Sequence, residues 1–352
     1  MTPRILIYGA TGFTGGLVAA EAARRDCDLV LAGRDPERLK AVADPLGADV
    51  AAIDLAEASR LRVLLDGVDA VLHVAGPFSA TARPMVDACL ATKTHYLDVT
   101  GEIDVFEAIA RRGSEAEEAG VVLLPGVGFD VVPSDCLAMF AAAKVDEPMR
   151  LRLAVAGLAG GVSRGTARTL VESLASGLRI RRDGILVRQR LGRLEHRFDF
   201  GAGPARGIAV SMGDLATAFH STRIPNIETY LVASGRTARL LKASRFARPL
   251  LRIGGVRRFV DRRIDALPAG PDEAARRASR TLVLAEVEGP GGQWARALLE
   301  TPNGYDLTRT AAVEAAFRVA GGEVPPGFRT PATAFGADFV VGLPGCRRME
   351  LG

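Results

Sequence analysis

Residues 4–16 read RILIYGATGFTGG, and this stretch decides the fold. An apolar run, Ile5 to Tyr8, passes directly into Gly9, Gly12 and Gly15, and a helix-compatible run, Leu17–Arg24, follows. In a strand–turn–helix of this kind the first glycine permits the tight turn off the strand. The second lets the backbone approach a pyrophosphate, and the third lets the helix pack close to the sheet. The helix then aims its first N–H groups and the positive end of its dipole at the phosphates. A GxxGxxG spacing is a weak signal alone. Set between a strand and a helix, it predicts a dinucleotide-binding βαβ unit with Gly9, Gly12 and Gly15 in the cofactor loop.

The next strand chooses the cofactor. Asp28–Gly33 (DLVLAG) is the second strand, and an NAD site would end it in an Asp or Glu for the ribose 2′-hydroxyl. It ends instead in Gly33-Arg34, and a guanidinium suits a 2′-phosphate. Asp35-Pro36-Glu37 reads as a helix N-cap with proline in the first turn, so Asp35 is a cap and not a ribose ligand. NADP(H) is the expected cofactor, with Arg34 as the discriminating residue.

The 352 residues are 48% hydrophobic and 24% charged, as in a globular protein of one large or two ordinary domains. No apolar run approaches a membrane span, and residues 1–8 read as a core strand and not a leader. Four cysteines and four histidines are scattered without ligand spacing, so neither a metal nor a disulfide framework is expected. A reducing cytoplasm is the expected location.

Strands and helices alternate over residues 1–125, as a doubly wound parallel sheet requires. Further strands are read at Ala48–Ile53, Ala70–Val74, Tyr96–Val99 and Val121–Leu124, with helices at Glu37–Ala43, Ser59–Leu65, Arg83–Ala91 and Ile103–Ala119. Ligands bind such sheets beyond the carboxyl ends of the strands. There the third strand offers Asp54, for the adenine edge or as a turn cap. The fourth offers Ala75, Gly76 and Pro77, small enough for backbone to lie against a cofactor, with Phe78 as a wall for the nicotinamide. The fifth clusters Asp98, Thr100 and Glu102, although an acid at Glu102 also suits a helix first turn. After the sixth comes the loop PGVGFDVVPSD, Pro125–Asp135, in which Asp130 is either catalytic or pins the loop.

From about residue 148 the pattern changes. Arg150–Ala156 alternates, Thr166–Leu178 has helical spacing, and Ile185–Arg190, Arg206–Ser211 and Glu228–Val232 are β-like. Arg280–Glu288 and Gln293–Thr301 flank Gly289-Pro290-Gly291-Gly292 as a hairpin. The expected organisation is a Rossmann-type domain over 1–147, an inserted α+β domain with a mostly antiparallel sheet over 148–302, and a return of 303–352 to the first domain. The inserted domain would serve substrate binding or pairing into a homodimer. Arginines interleave with Leu, Ile and Phe through 236–263. That run is a solvated helical face, or a docking surface for an acidic protein or an anionic membrane. No nucleic-acid reading motif accompanies it.

Hydride transfer is the leading chemistry for such a cofactor. The four tyrosines, Tyr8, Tyr96, Tyr230 and Tyr305, are followed four residues later by Gly12, Thr100, Ser234 and Arg309, so no Tyr-x-x-x-Lys pair exists. The proton donor is then sought among Asp98, Glu102, Asp130, His220, Tyr305 and water, with the Asp98–Glu102 and Asp130 loops preferred.

GATGFTGG, LAGRDPERL, VAGPF, THYLDVTGE and PGVGFDVVPSD, in that order, with NGYDLT…GFRTPATAFG near the end, resemble the saccharopine dehydrogenase-like reductases. The resemblance is strongest to the branch containing trans-acting enoyl reductases of actinobacterial lipid and polyketide pathways. It implies a Rossmann domain with an inserted domain, NADPH, and reduction of a C=C or C=N bond in a small-molecule or carrier-tethered substrate. It matches Gly9, Thr11, Gly12, Phe13, Thr14, Gly15 and Arg34 to the family's cofactor loop and 2′-phosphate position. It supplies no catalytic residue. An imine reductase acting on a free small molecule and a non-catalytic NADP(H) sensor are the alternatives.

Overall fold

Seven short apolar runs build one parallel sheet. A computed structural model describes residues 2–157, 163–168, 171, 177–190, 192, 194–201, 203–232 and 254–351. The chain divides into two units: Met1–Val132 with Gly304–Phe339, and Pro133–Asn303 with Val340–Gly352.

In the first unit, β1 (Arg4–Tyr8) runs into α1 (Phe13–Ala22), then β2 (Asp28–Gly33), α2 (Pro36–Ala43), β3 (Asp49–Ala52), α3 (Ala58–Leu65) and β4 (Ala70–His73). There follow α4 (Phe78–Thr92), β5 (His95–Asp98), α5 (Ile103–Ala110), α6 (Gly113–Ala119) and β6 (Val122–Leu124). The sheet order is β15-β6-β5-β4-β1-β2-β3, where β15 is Gly327–Phe328 from the end of the chain. Every described pairing is parallel. Leu6, Val30, Val71, Tyr96 and Leu123, one from each central strand, sit in a single buried cluster with Leu61, Leu65, Met85 and Val86 from α3 and α4. Strands apolar on both faces are what a sheet covered by helices on both sides demands. The order reverses between β1 and β4, and the carboxyl ends at that reversal are the natural ligand crevice.

Several helices differ from the sequence reading, and α1 starts at Phe13, four residues before Leu17. The run over 103–119 is broken at Arg111-Arg112, ahead of Gly113. Helix α4 begins at Phe78, five residues before Arg83, and carries Pro84 inside it. At the seventh of fifteen positions this proline removes one intrahelical bond and crowds the carbonyl four residues back, yet the helix continues to Thr92.

The second unit opens on α7 (Val132–Ala142) and continues with β7 (Arg150–Ala156), β8 (Leu178–Arg182), β9 (Ile185–Gln189), β10 (Glu195–Asp199) and β11 (Pro204–Ala209). Next come α8 (Asp214–Thr222), β12 (Asn226–Val232), α9 (Gly254–Asp265), α10 (Glu273–Ala278), β13 (Arg280–Glu288) and β14 (Trp294–Pro302). After α11 (Gly304–Ala320) and α12 (Pro331–Phe335) in the first unit, β16 (Arg347–Leu351) ends the chain. A nine-stranded sheet runs β10-β11-β12-β7-β13-β14-β16, with β8 pairing to β12 and β9 to β8. Only β7 and β12 are parallel; the other described pairings are antiparallel. The polar end of the PGVGFDVVPSD loop is tied down inside this unit. The Ser134 hydroxyl donates to Asp214 and the Ser221 hydroxyl to Asp135, both at 2.5 Å, joining α7 to α8.

The division falls at Val132, earlier than residue 147, and Val340–Gly352 groups with the second unit because β16 pairs with β14. Strands β8, β10 and β16 had no counterpart in the sequence reading. Leu178, read as a helix end, starts β8; positions 164–168 are helical, and 169–170 and 172–176 lie outside the described residues. Of the basic run, 236–253 also lies outside them, while 254–265 forms α9. The modest total charge conceals a large asymmetry. The first unit has 15 Lys and Arg against 24 Asp and Glu, net −9, and the second has 30 against 17, net +13.

Candidate functional site: the cofactor cradle of the first unit

The glycine loop is shaped by what a side chain would strike. Gly9 has φ +97°, and a Cβ there would lie 2.8 Å from the Ala75 Cβ. Its N–H donates to the Ala32 carbonyl, and its own carbonyl accepts from Gly12 N–H, closing the turn. A Cβ on Gly15 would lie 2.1 Å from the Gly9 carbonyl oxygen, so α1 starts as close to β1 as backbone permits. Gly12 is the N-cap, and no side chain caps α1. The helix itself offers no acceptor to the N–H groups of its first turn, Phe13, Thr14 and Gly15. A diphosphate fits this cradle: it needs backbone donors, a positive dipole end and no Cβ in the way.

The adenine side is marked by charge. Arg34 is exposed at the end of β2 and makes no ion pair among the described residues. Asp35 caps α2, accepting from Arg38 N–H at 3.1 Å. This delivers the Arg38 guanidinium onto the glycine loop, where it donates to the Thr11 carbonyl at 3.2 Å. Arg38 was missed in the sequence, although its position in the first turn after the β2 end is the signal. Asp54 builds a turn: its carboxylate accepts from Ala56 N–H at 2.9 Å, and its own N–H donates to Glu57. Beside it the Tyr8 hydroxyl donates to the Ile53 carbonyl at 3.2 Å; burial raises the Tyr8 pKa, Asp54 adding to the effect and Arg34 opposing it.

On the other side of the reversal, Ala75 lies against Gly9, and Gly76 and Pro77, joined by a cis peptide bond, are exposed. Phe78 is 9% exposed and packs on His73, and its ring edge would be 3.5 Å from a Cβ on Gly76. His73 is fully buried, with Nε2 between the Ala75 carbonyl (3.1 Å) and the Thr81 hydroxyl (3.0 Å). The Thr81 hydroxyl spends its hydrogen on the Ala75 carbonyl, so His73 is the donor and Nδ1 is the bare nitrogen.

Burial pulls the His73 pKa from 6.5 down to about 4. The folded state therefore keeps it neutral where the unfolded chain takes up a proton. Its contribution is present above pH 6.5 and is lost as pH falls toward 4, a loss of about 3 kcal/mol. His73→Gln, which retains an N–H donor but does not titrate, should lose less thermal stability than wild type between pH 7 and pH 4. Parallel melting curves for the two proteins would refute this. Asp98 works in the opposite sense, since burial raises its carboxyl to about 6, so its stabilisation is greatest in acid and lost as pH rises through 6. The difference between variant and wild type isolates His73.

The three acids read as catalytic separate by environment. Asp98 is fully buried, and Tyr96 Oη (2.7 Å), Thr100 N–H and Gly126 N–H (2.9 Å each) donate to its two oxygens. It holds the end of β5 to the loop after β6. Glu102 accepts from the N–H groups of Phe78 and Ser79, both at 2.8 Å, and so caps α4 from the neighbouring loop. Asp130 alone among the three is exposed, with no hydrogen bond or ion pair among the described residues. Its Oδ2 would be 3.0 Å from a Cβ on Gly101. Solvent reaches one side of it, yet enough protein surrounds the carboxyl to raise its pKa by loss of hydration. Of the other proton-donor candidates, His220 lies on α8 in the second unit. Tyr305, at the start of α11, lies in the first unit with its ring edge-on to Phe13, centroids 5.0 Å apart.

Among the described residues no group of three His, Cys, Asp or Glu could hold a metal, and no helix is long and apolar enough to cross a membrane. Residues 5–124 match the saccharopine dehydrogenase NADP-binding domain. A protein of Mycobacterium tuberculosis, provisionally named a trans-acting enoyl reductase, is 34% identical over 191 residues, covering 50% of this chain and 46% of its own. The trans-acting enoyl reductase of Mycobacterium ulcerans is 35% identical over 139 residues, 37% of this chain and 33% of its own. The chain thus covers less than half the length of these relatives. The apo L-glutamate-forming saccharopine dehydrogenase of Saccharomyces cerevisiae shares the fold, with a TM-score of 0.68 over 99% of this chain and 100% of its own at 13% identity. The first unit, through residues 5–124, belongs to the saccharopine dehydrogenase NADP-binding domain family.

Proposed function

We propose that this chain is an NADPH-dependent reductase that adds hydride to the C=C bond of an enoyl substrate, held on a carrier or free. The observation that carries the reading is the pairing of Arg34 and Arg38 beside a glycine cradle shaped for a diphosphate. Two guanidiniums at the β2 end favour a 2′-phosphate over a bare ribose. When bound, NADPH supplies the hydride. The chain's part is to hold the dinucleotide at Gly9–Gly15, to keep the loops after β4 and β5 fixed through Glu102 and Asp98, and to manage the proton. Asp130 Oδ2 is the atom suited to that: it belongs to an exposed residue, is unpaired among the described residues, and loss of hydration raises its pKa.

The carrier-tethered form is supported by the relatives named trans-acting and by the charge of the second unit. A net +13 draws an acidic protein, and α9 exposes Phe259 with Arg262 and Arg263 on the helix beside it. An anionic membrane surface would be drawn by the same charge, and retention on anionic vesicles separates it from an acidic protein.

Titration with NADPH and NADH, followed by NADPH oxidation with enoyl-pantetheine thioesters and cyclic imines, tests the reading. Consumption with the thioesters supports it. Consumption with imines alone, binding without consumption, or no binding each overturns it. With an active thioester in hand, Asp130→Asn should lower turnover by about 10²-fold or more while leaving NADPH affinity unchanged. Equal turnover would remove Asp130 from the chemistry.

A further inference from the structure

Helix α11 is fastened to the first unit more firmly than its place at the far end of the chain suggests. Arg309 pairs with Glu21 of α1 at 3.0 Å, and Glu314 with Arg25 just beyond it at 2.7 Å. Leu307, Ala311, Ala312, Val313, Ala315 and Ala316 are buried along it. Its first turn is seated on the loop after β6. A Cβ on Gly304 would lie 2.9 Å from the Phe129 ring, and Thr308 Oγ1 accepts from Phe129 N–H at 3.0 Å.

This brings Tyr305 to the carboxyl edge of the parallel sheet, half-buried and perpendicular to Phe13. Phe13 is the first residue of α1, directly after Gly12. The pyrophosphate position is set by the glycine loop, and the 2′-phosphate position by Arg34 and Arg38 on the β2 side. An extended dinucleotide crossing the reversal therefore sends its other ring toward the ends of β4, β5 and β6. There the loop after β6 and the start of α11 meet the glycine loop at Phe13.

We propose that Tyr305, with Phe13 behind it, forms the wall against which the nicotinamide ring rests, so that α11 completes a cofactor site begun by β1. The inference relies on the NADP(H) reading given above. A planar ring, cationic when oxidised, is well held by aromatic neighbours. A purely structural Tyr305 would pack α11 onto α1, but two ion pairs and the buried stripe already fasten the helix, and the Thr308 bond ties its first turn to the loop after β6.

The two roles differ in which ligand notices the residue. The full chain is titrated with NADPH, with NADP⁺ and with 2′-phospho-ADP-ribose, which keeps every group except the nicotinamide. Tyr305→Ala should weaken NADPH and NADP⁺ by about tenfold and leave 2′-phospho-ADP-ribose within about twofold, while Tyr305→Phe keeps all three. Tyr305→Leu, which retains apolar bulk over Phe13, should show the same selective loss and serves if the alanine variant does not fold. An equal loss for all three ligands, or no loss, overturns the assignment. A wild-type chain that binds 2′-phospho-ADP-ribose but gains nothing from the nicotinamide overturns it as well. A wild-type chain that binds none of the three overturns the NADP(H) reading itself.

Discussion

Gly15→Ala should sharply weaken the chain's binding of both nicotinamide dinucleotides. The added Cβ would sit 2.1 Å from the Gly9 carbonyl oxygen, 2.8 Å from its carbon and 2.9 Å from Ala10 Cα. All three are backbone atoms of the turn, and none can swing aside as a side-chain end would. Helix α1 would have to lift by roughly 1 Å, and cores resist such shifts at a cost of about 1–3 kcal/mol or more. Its underside, Val18, Ala19 and Ala22, is buried. Lifting it also withdraws the first-turn N–H groups from the phosphates. Affinity should fall by about 10²-fold or more, with a lowered melting temperature. Gly16→Ala is the matched control: its Cβ would meet nothing closer than the Ala10 carbonyl at 3.8 Å. Within a helix that change should preserve binding and raise stability by about 0.5–1 kcal/mol. Titration and thermal melting of the pair check both. A Gly15→Ala protein that binds like wild type would place the cofactor elsewhere.

Arg34→Ala should convert a strong preference for NADPH into near indifference. A charge-assisted hydrogen bond to phosphate contributes about 1.5–3 kcal/mol, so its loss weakens NADPH by roughly 10- to 150-fold. NADH, with no 2′-phosphate, should bind the variant as it binds wild type. Arg38→Ala should act in the same direction and also release the Thr11 carbonyl it holds at 3.2 Å, so a smaller loss should appear for NADH as well. Isothermal titration of the two cofactors with the three proteins decides it. Equal losses for NADPH and NADH at Arg34→Ala would mean that the guanidinium supports the loop and does not read the phosphate.

The cradle was legible in the sequence because each part depends on local geometry. A glycine that must turn off a strand, a glycine that must not carry a Cβ, and an Asp-Pro cap all announce themselves within a few residues. Arg38 escaped notice because its contact with Thr11 requires knowing that the start of α2 lies over the glycine loop. The acids read as catalytic were legible as a group at the strand ends, and their hydrogen-bond partners were not. Asp98 and Glu102 sit where acids are expected, but their oxygens are committed to N–H and O–H groups from β5, the loop after β6, and the start of α4. Sequence spacing carries no record of such cross-strand donors. Tyr305 was beyond local reading for the same reason: it reaches Phe13 only once α11 has docked on α1. In the second unit, β8 and β10 are short and arginine-bearing, LRIRR and EHRFD, and show no clean alternation. Strand β16 has an alternating pattern too brief to call before its partner β14 is known.

The division of the chain has a consequence for its biosynthesis. The first unit is interrupted after Val132 and resumes only at Gly304, and the second is sealed only by β16 at Arg347–Leu351. During vectorial synthesis the ribosome releases the glycine loop early. The helix that flanks it and the strand β15 that extends its sheet emerge only after residues 133–303 of the second unit. The first unit lacks its last elements until most of the second has been made, and the second lacks β16 until the first is complete. A nascent chain paused in the insertion would expose the uncovered faces of β4 and β5, where α11 belongs, to chaperones or to other nascent chains.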